Sequence, residues 1–352
     1  MRLEGKRVLI TGGTGSLGKV LASRILAGEI GKPKKVMIFS RDEAKQHEMR
    51  IAYQHRRVAT DEVIYRNFEQ LLEFRIGDVR DMHSVASALR DADIVFNAAA
   101  MKQVPACEYF PYEAVRTNIE GAENIVQAIR ELHLPVETVV GISTDKACKP
   151  VNVMGMSKAI QERIFISANL TCQSTRFICV RYGNVLASRG SVIPLFLDQI
   201  KHSGPVTITS PTMTRFLLSL NQAVDVIFAA VRGARAGETY IPRVPAARVV
   251  DIAAALIGGR PIKTKIVGVR PGEKTHEILI SEEECHRAIE RGNYYVIRPI
   301  LPEIDREAAS KAVLSDEYSS GSNVLSVEEC EKFLREHRLL PDQTPDTGEL
   351  LR

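Results

Sequence analysis

The first half of the chain alternates two hydrophobic patterns. Short apolar runs recur at RVLITGG (7–13), KVMIFS (35–40), LEFRIGDV (72–79), DIVFNAAA (93–100), ETVVGIST (137–144) and TRFICVRYGNV (175–185). Their length and content of Val and Ile suit strands buried on both faces. Between them lie stretches with helical spacing of apolar positions: SLGKVLASRILAG, a polar stretch over 42–70, MHSVASALRDA, a long one from Pro111 to Leu134, and VMGMSKAIQERIFISANL. Apolar strands alternating with amphipathic helices predict an α/β fold built on a doubly wound parallel sheet.

After about residue 190 the rhythm changes. VTITSP, ETYIP and KTKIVGV are short strand-like pieces among the helical NQAVDVIFAAVRGA and VVDIAAALIGG. They predict a smaller mixed α/β region over 191–300, with room for short returns to the main sheet. From 301 the chain is polar and reads as a C-terminal extension. YSSGSNVLS reads as a loop, VEECEKFLREH as a short helix and the last dozen residues, PDQTPDTGELLR, as disordered.

Composition narrows the class only slightly. Hydrophobic residues make up 45% and charged residues 26%, ordinary for a globular protein. The net charge of +4 is too mild and too evenly spread to point to nucleic acid, but it suits a small anionic ligand. The six cysteines form no C-x-x-C pair, so reduced thiols are expected, with neither a disulfide frame nor a metal site. No run is apolar and long enough to span a membrane, and MRLEGKRVLITGG lacks the features of a signal peptide. A cytoplasmic location with no membrane partner is expected.

TGGTGSLG falls between the first strand and the first helix. Gly12, Gly15 and Gly18 have the spacing of a phosphate-binding loop, with Ser16 and Leu17 at the helix start. Such a loop lets a pyrophosphate rest on backbone N–H groups, and its place after a strand and before a helix makes the fold Rossmann-like, with 1–190 as the cofactor domain. At the end of the second strand an acidic residue would favour NAD; here Ser40 and Arg41 stand, with Lys45 close by, and suit a 2′-phosphate. Asp42 and Glu43 blur the choice, so NADP is favoured over NAD. Asp78 and Val79 end the third strand and suit the adenine. Ala98, Ala99 and Ala100 follow the fourth, small enough to leave room for the cofactor.

STDKACKPVNVMGMSK (143–158) raises the question of chemistry. Many nicotinamide enzymes of this layout carry Tyr-x-x-x-Lys on the helix here, the Tyr moving a proton. This chain has Lys158 but Met154 four residues before it. Read alone, Thr144, Asp145 and Lys146 are better explained as a helix N-cap, Met154 as a core residue, and Cys107 and Cys148 as buried bystanders.

The motifs together resemble the extended short-chain dehydrogenase/reductase superfamily. AAAMKQVPACEYFPYEAVRTNIEGAENI, STDKACKPVNVMGMSK, RYGNVLASRGSVIPLF, TMTRFLLSL and RPGEK, in this order, look like the UDP-N-acetylglucosamine 4,6-dehydratases of bacterial surface-polysaccharide synthesis. The sequence is most similar to the C5-inverting, capsule-type members, and the resemblance covers about residues 5 to 335. Some members keep the tyrosine and others have methionine, so Met154 does not imply an inactive protein. The resemblance implies oxidation at C4 by NADP, loss of the C5 proton, loss of water from C6, return of hydride to C6 and of a proton to C5. It implies Lys146 as base at C5, which needs a lowered pKa from burial or a nearby cation, with Lys158 as a candidate neighbour. It implies Asp145 as acid at C6, Thr144 orienting the 4-hydroxyl and Lys158 holding the nicotinamide ribose. The acceptor of the 4-hydroxyl proton is left open among Lys146, Asp145 and water.

For the UDP-sugar, the resemblance points to Lys102, Asn184, Arg189, Arg215, Arg270 and Glu273, although a surface salt bridge is an alternative for any one of them. It also implies a homo-oligomer, with the C-terminal extension over or between subunits. Two other readings stand beside it: a UDP-sugar 4-epimerase, which shares the hydride step but needs no Asp145–Lys146 pair, and a catalytically silent NADP-binding regulator, which only Met154 favours.

Overall fold

The six apolar runs of the first half become strands β1 (Arg7–Thr11), β2 (Lys35–Ser40), β3 (Leu72–Ile76), β4 (Ile94–Asn97), β5 (Thr138–Thr144) and β6 (Arg176–Tyr182). The second half adds β7 (Val206–Ile208), β8 (Thr214–Phe216), β9 (Thr239–Pro242), β10 (Ala246–Arg248), β11 (Thr264–Ile266), β12 (Ile278–Ile280), β13 (Ala288–Arg291), β14 (Tyr294–Ile297) and β15 (Tyr318–Ser319). The computed structural model describes residues 3–54, 71–186, 191–305 and 312–342.

The main sheet has the order β13-β14-β9-β6-β5-β4-β1-β2-β3. From β3 to β9 every pair is parallel, while β14 and β13 run antiparallel at the far edge. The strand order reverses between β1 and β4, which opens a crevice at the carboxyl ends of the strands. The expected α/β fold, a Rossmann-like parallel sheet covered on both faces, is the observed one.

Alternation along β1 shows how the layers are specified. Val8 and Ile10 face a core built with Leu21 and Ile25 of the helix Ser16–Leu26 and Val224 and Ile227 of the helix Leu220–Gly233. Leu9 faces the other core, with Leu89, Ile125, Ile129 and Phe165. A third cluster holds the second half together. Phe196 and Leu197 meet Ile252 and Leu256, and Cys330 and Leu334 of the C-terminal helix Val327–Glu336 close it. No helix among the described residues is long and apolar enough to cross a membrane.

Three expectations about elements change. The polar helix expected over 42–70 is seen as Glu43–Gln54; 55–70 lie outside the described residues. The long helix expected from Pro111 to Leu134 is Pro111–Ala114, a π-helical turn Val115–Glu120 and Gly121–Glu131, after a separate helix Val104–Tyr109. Pro111 breaks the run, since the residue before a proline avoids helical backbone, and Phe110 has φ −128° and ψ 62°. YSSGSNVLS, expected as a loop, contains β15, which pairs antiparallel with β12; its hydrogen-bonding partner is remote in sequence, so no local pattern announces it.

Candidate active site

The crevice is a cleft of about 1070 Å³ that runs from the glycine loop after β1 to the second-half region. Its cofactor side is set by β1 and β4. Thr11 Oγ1 donates to Asn97 Oδ1 over 2.8 Å and accepts from the Ala99 N–H at 3.2 Å, which ties the two strand ends together. Gly12 has φ +64°, and a Cβ there would lie 2.7 Å from the Ala99 backbone, so only glycine fits. Gly15 caps the helix Ser16–Leu26 in extended conformation, leaving the first N–H groups of that helix toward the cleft. Gly12, Gly15, Ser16, Leu17 and Gly18 all line it, as do Ser40, Arg41, Lys45, Asp78, Val79, Ala98, Ala99 and Ala100.

The charges around that end are partly engaged with one another. Lys45 Nζ lies 2.5 Å from Asp42 Oδ2, and Ser40 Oγ accepts from Gln46 at 3.0 Å. Arg41 is exposed and 3.8 Å from Asp78. Asp78, expected to meet the adenine, has its carboxylate gripped by Arg80 over 2.6–3.0 Å; burial opposes its charge, but the Arg80 guanidinium prevails and its pKa is lowered.

At the floor of the cleft, β5 delivers Thr144, Asp145 and Lys146. Thr144 does cap a short 3-10 turn, Asp145–Ala147, as its residue type suggests. Its hydroxyl also donates to Asp145 Oδ1 over 2.7 Å. Asp145 is fully buried; Oδ1 accepts from Lys146 Nζ at 3.1 Å, and Oδ2 has no partner among the described residues. A buried, half-unsatisfied carboxylate is costly unless it serves a ligand or a proton.

Lys146 is not in the cationic setting expected from the sequence. Its Nζ lies between Asp145 and Glu277, 3.5 Å from Glu277 Oε1. Burial disfavours the ammonium, yet the two carboxylates outweigh both burial and the opposing Arg215, and its pKa is raised. The cation facing it is Arg215, not Lys158. Burial instead lowers the affinity for a proton at Lys274 and at Lys158, the latter pushed down to about 8 with Glu162 only partly opposing. Lys158 Nζ donates to Gln161 Oε1 at 2.7 Å and lines the cleft one turn from Met154.

Met154 is buried in an apolar cluster with Cys107 and Ala114 and also reaches the cleft wall. Cys107 and Cys148 are buried, their thiols pushed up by burial to about 11 and about 12. They are unreactive bystanders, as read from the sequence. Below the site Arg181 bridges Glu162 and Glu284 at 2.7 Å each, and Ser143 also donates to Glu162. This network joins β5, β6, the helix Val153–Thr171 and the segment after β12.

Toward the second region the cleft meets Lys102, Asn184, Arg215, Arg270 and Glu273; Arg189 lies outside the described residues. Asn184 Oδ1 and Glu273 Oε2 are buried without partners. The Arg215 guanidinium is held by the carbonyls of Thr214, Lys274 and Thr275, with Nε 3.6 Å from Glu277. Two residues here escaped the sequence reading. Lys274 donates to the Cys148 carbonyl at 2.5 Å and pins the turn after β5; Glu277 stands against Lys146. The available signal was faint: Glu277 follows the RPGEK motif by three residues, but its meeting with Lys146 depends on the fold.

Comparison with known proteins fits this geometry. A family model described as polysaccharide biosynthesis protein matches residues 8–299. Proteins named UDP-glucose 4-epimerase from Rickettsia akari and Rickettsia bellii are 42% and 43% identical over 340 residues, covering 94% of this chain and 95% of theirs. Pen from Bacillus thuringiensis superposes with a TM-score of 0.84 at 36% identity, covering 97% of this chain and 100% of that one. At 18% identity, DesIV, a dTDP-glucose 4,6-dehydratase from Streptomyces venezuelae, shares the fold with a TM-score of 0.63, covering 94% of this chain and 98% of its own. Proteins named UDP-glucose 4-epimerase are thus among its sequence relatives, a dTDP-glucose 4,6-dehydratase shares its fold, and the chain belongs to the polysaccharide biosynthesis protein family.

Proposed function

We propose that the protein is a UDP-N-acetylglucosamine 4,6-dehydratase that inverts C5, yielding UDP-2-acetamido-2,6-dideoxy-β-L-arabino-4-hexulose for surface polysaccharide. The observation that carries this reading is the Asp145–Lys146 pair at the cleft floor, its carboxylate buried and one Asp145 oxygen without a partner among the described residues. A 4-epimerase moves one proton on and off the 4-hydroxyl. A dehydratase needs separate groups for C5 and for the C6 oxygen, and a site with several buried ionisable groups matches that demand.

In this reading Thr144 orients the 4-hydroxyl, Lys146 takes the C5 proton and Asp145 protonates the departing C6 oxygen. Inversion requires the returning proton to reach C5 from the opposite face, so its donor is not the group that removed it. A nicotinamide, when bound, supplies oxidation at C4 and hydride for C6. The glycine loop and the helix start at Ser16 would hold its pyrophosphate. Ser40, Arg41 and Lys45 favour NADP over NAD, since a hydroxyl and two cations match a 2′-phosphate. Lys158 would hold the ribose. Asn184, Arg189, Arg215, Arg270, Glu273 and Lys102 would meet the nucleotide sugar. A homo-oligomer in the cytoplasm belongs to the same reading.

A second reading, a UDP-sugar 4-epimerase, is favoured by the name of the Rickettsia relatives. Incubation with UDP-N-acetylglucosamine in deuterium oxide, followed by NMR, separates the two. The dehydratase gives a 4-keto-6-deoxy sugar with deuterium at C5 and L-arabino couplings. A C4 epimer with C6 unchanged would replace it with the epimerase.

A further inference from the structure

Glu277 is 3% exposed, comes from the loop before β12 and sits where nothing in the dehydration scheme above employs it. Its backbone is fixed from both sides. The N–H donates to Ser320 Oγ at 2.9 Å, the carbonyl accepts from the Ser320 N–H at 2.8 Å, and Ser320 Oγ is shared with Thr214 Oγ1 at 2.7 Å. The side chain so held puts Oε1 3.5 Å from Lys146 Nζ and leaves Oε2 buried with no partner. The charged groups facing it are Asp145 and Lys146 from the turn after β5, Arg215 from β8 and Lys274 from its own loop. Burial and Asp145 raise its affinity for a proton, and Lys146, Arg215 and Lys274 only partly oppose this.

This arrangement bears on a difficulty in the proposed chemistry. Lys146 rests as an ammonium between two carboxylates, and an ammonium cannot remove the C5 proton. Asp145 cannot relieve it, because Asp145 must itself carry a proton to the C6 oxygen. Its Oδ1 is also already occupied by Thr144 and Lys146. Glu277, like Asp145, keeps one oxygen without a partner among the described residues, but it has no other duty in that scheme.

We propose, resting on the dehydratase reading, that Glu277 is the proton-exchange partner of Lys146. When substrate fills the cleft and excludes water, the N–H bond at Nζ breaks and an O–H bond forms on Oε1. One proton moves, and the ammonium–carboxylate pair becomes a neutral amine and a neutral acid. In a site stripped of water a neutral pair competes with the ion pair, because the separated charges lose their solvation. The free amine then takes the C5 proton; when product leaves and water returns, that proton passes to solvent, which recharges the separate C5 donor, and the Glu277 proton goes back to Nζ to restore the ion pair. Glu277 acts through Lys146 and is a positioning residue for proton transfer.

The test is the pH profile of kcat for Glu277→Gln, which keeps the shape and removes the proton site. In the wild type the Lys146–Glu277 pair carries one proton in its working state, so activity falls only on the acid side where Glu277 binds a second. In the variant Lys146 must lose its proton to bulk, so the acid limb moves up toward the lysine range. Turnover at pH 7 is expected to fall about 100-fold with KM within about three-fold, and to recover as pH rises. A buried glutamate that served only packing would lower kcat alike at every pH, and an unmoved acid limb overturns the proposal. Should the glutamine variant not fold, Glu277→Asp decides: its carboxylate withdraws from Nζ, so the limb is again expected to move up, and an unmoved limb again overturns it. The two readings fail separately. A wild type that forms no 4-keto-6-deoxy product removes the dehydratase reading and this role with it; an active wild type with unshifted variants removes only the role of Glu277.

Discussion

Lys158, buried, and Lys146, half-buried, stand 12 positions apart, yet they are tuned in opposite directions. Lys158 has no carboxylate in hydrogen-bond contact, so desolvation wins and its pKa falls to about 8. In the unfolded chain it titrates at its ordinary 10.5. Between about 8 and 10.5 the unfolded state therefore binds more protons, and this group makes stability rise with pH. Below 8 the full penalty of a buried ammonium remains. Lys158→Met should raise the stability of the cofactor-free protein at pH 7 by about 1–2 kcal/mol, the relieved penalty less the cost of an unpaired Gln161. It should also flatten the rise of the urea midpoint between pH 8 and 10, and abolish turnover if Lys158 holds the ribose. A variant less stable than wild type at pH 7 would show that Lys158 is adequately solvated. Residue type alone told that Lys158 belonged to the helix motif and that Met154 could not move a proton. It did not tell which lysine would be raised and which lowered, because burial pushes Lys158 down, whereas at Lys146 burial is outweighed by Asp145 together with Glu277 from the far side of the cleft.

The helix Val153–Thr171 is capped by Asn152, whose Oδ1 accepts from the Gly155 N–H at 2.8 Å. Its first turn lies directly under the catalytic turn. A Cβ at Gly155 would come 2.2 Å from the Lys146 carbonyl, a backbone atom that can yield only by moving the Thr144–Lys146 turn. Gly155→Ala should therefore lower kcat at least about 10-fold and cost roughly 1–3 kcal/mol, although alanine is the better helix former. Chemical denaturation and the product assay together check this; an unaffected or stabilised variant would mean that the helix slides freely against the turn. The same element shows why some boundaries were legible and others were not. The strands are plain apolar runs, and this helix opens at a clear cap, Asn152. The π-helical turn at Val115–Glu120 has no sequence signal of its own. It serves Asn118, which is buried and bonds both Met101 backbone groups and Ser157 across to the next helix.

At the scale of the molecule, the C-terminal part is built into the same chain's second half. Cys330 and Leu334 of its helix close the core formed by the helices Val192–Lys201 and Val249–Ile257. Ahead of that helix, β15 pairs with β12, and Ser320 fixes the backbone of Glu277. Lys149 also reaches this segment, 2.9 Å from Glu317. Two truncations should therefore behave differently. Ending the chain after Leu325 should lower the melting temperature while leaving the Glu277 support in place, so part of the turnover survives. Ending it after Leu314 should remove the brace as well and abolish turnover. Thermal melts and the NMR product assay on both chains check this; equal turnover in the two would show that β15 does not support the site.

The sequence by itself determined the strands of the cofactor half and their parallel sheet, the glycine loop and the Thr144–Lys146 turn. These rest on local rules: alternation along a strand, helical periodicity, and glycine where backbone must approach backbone. Tertiary structure alone decided what surrounds Lys146. Glu277 and Arg215 lie far along the chain from it, in short strands and loops with little pattern of their own. Charge interactions depend on distance and burial, and neither is written in residue spacing. The same holds for the brace from Ser320, whose segment reads as loop in the sequence; Tyr318 and Ser319 become a strand only because β12 is there to pair with them, and Ser320 follows directly.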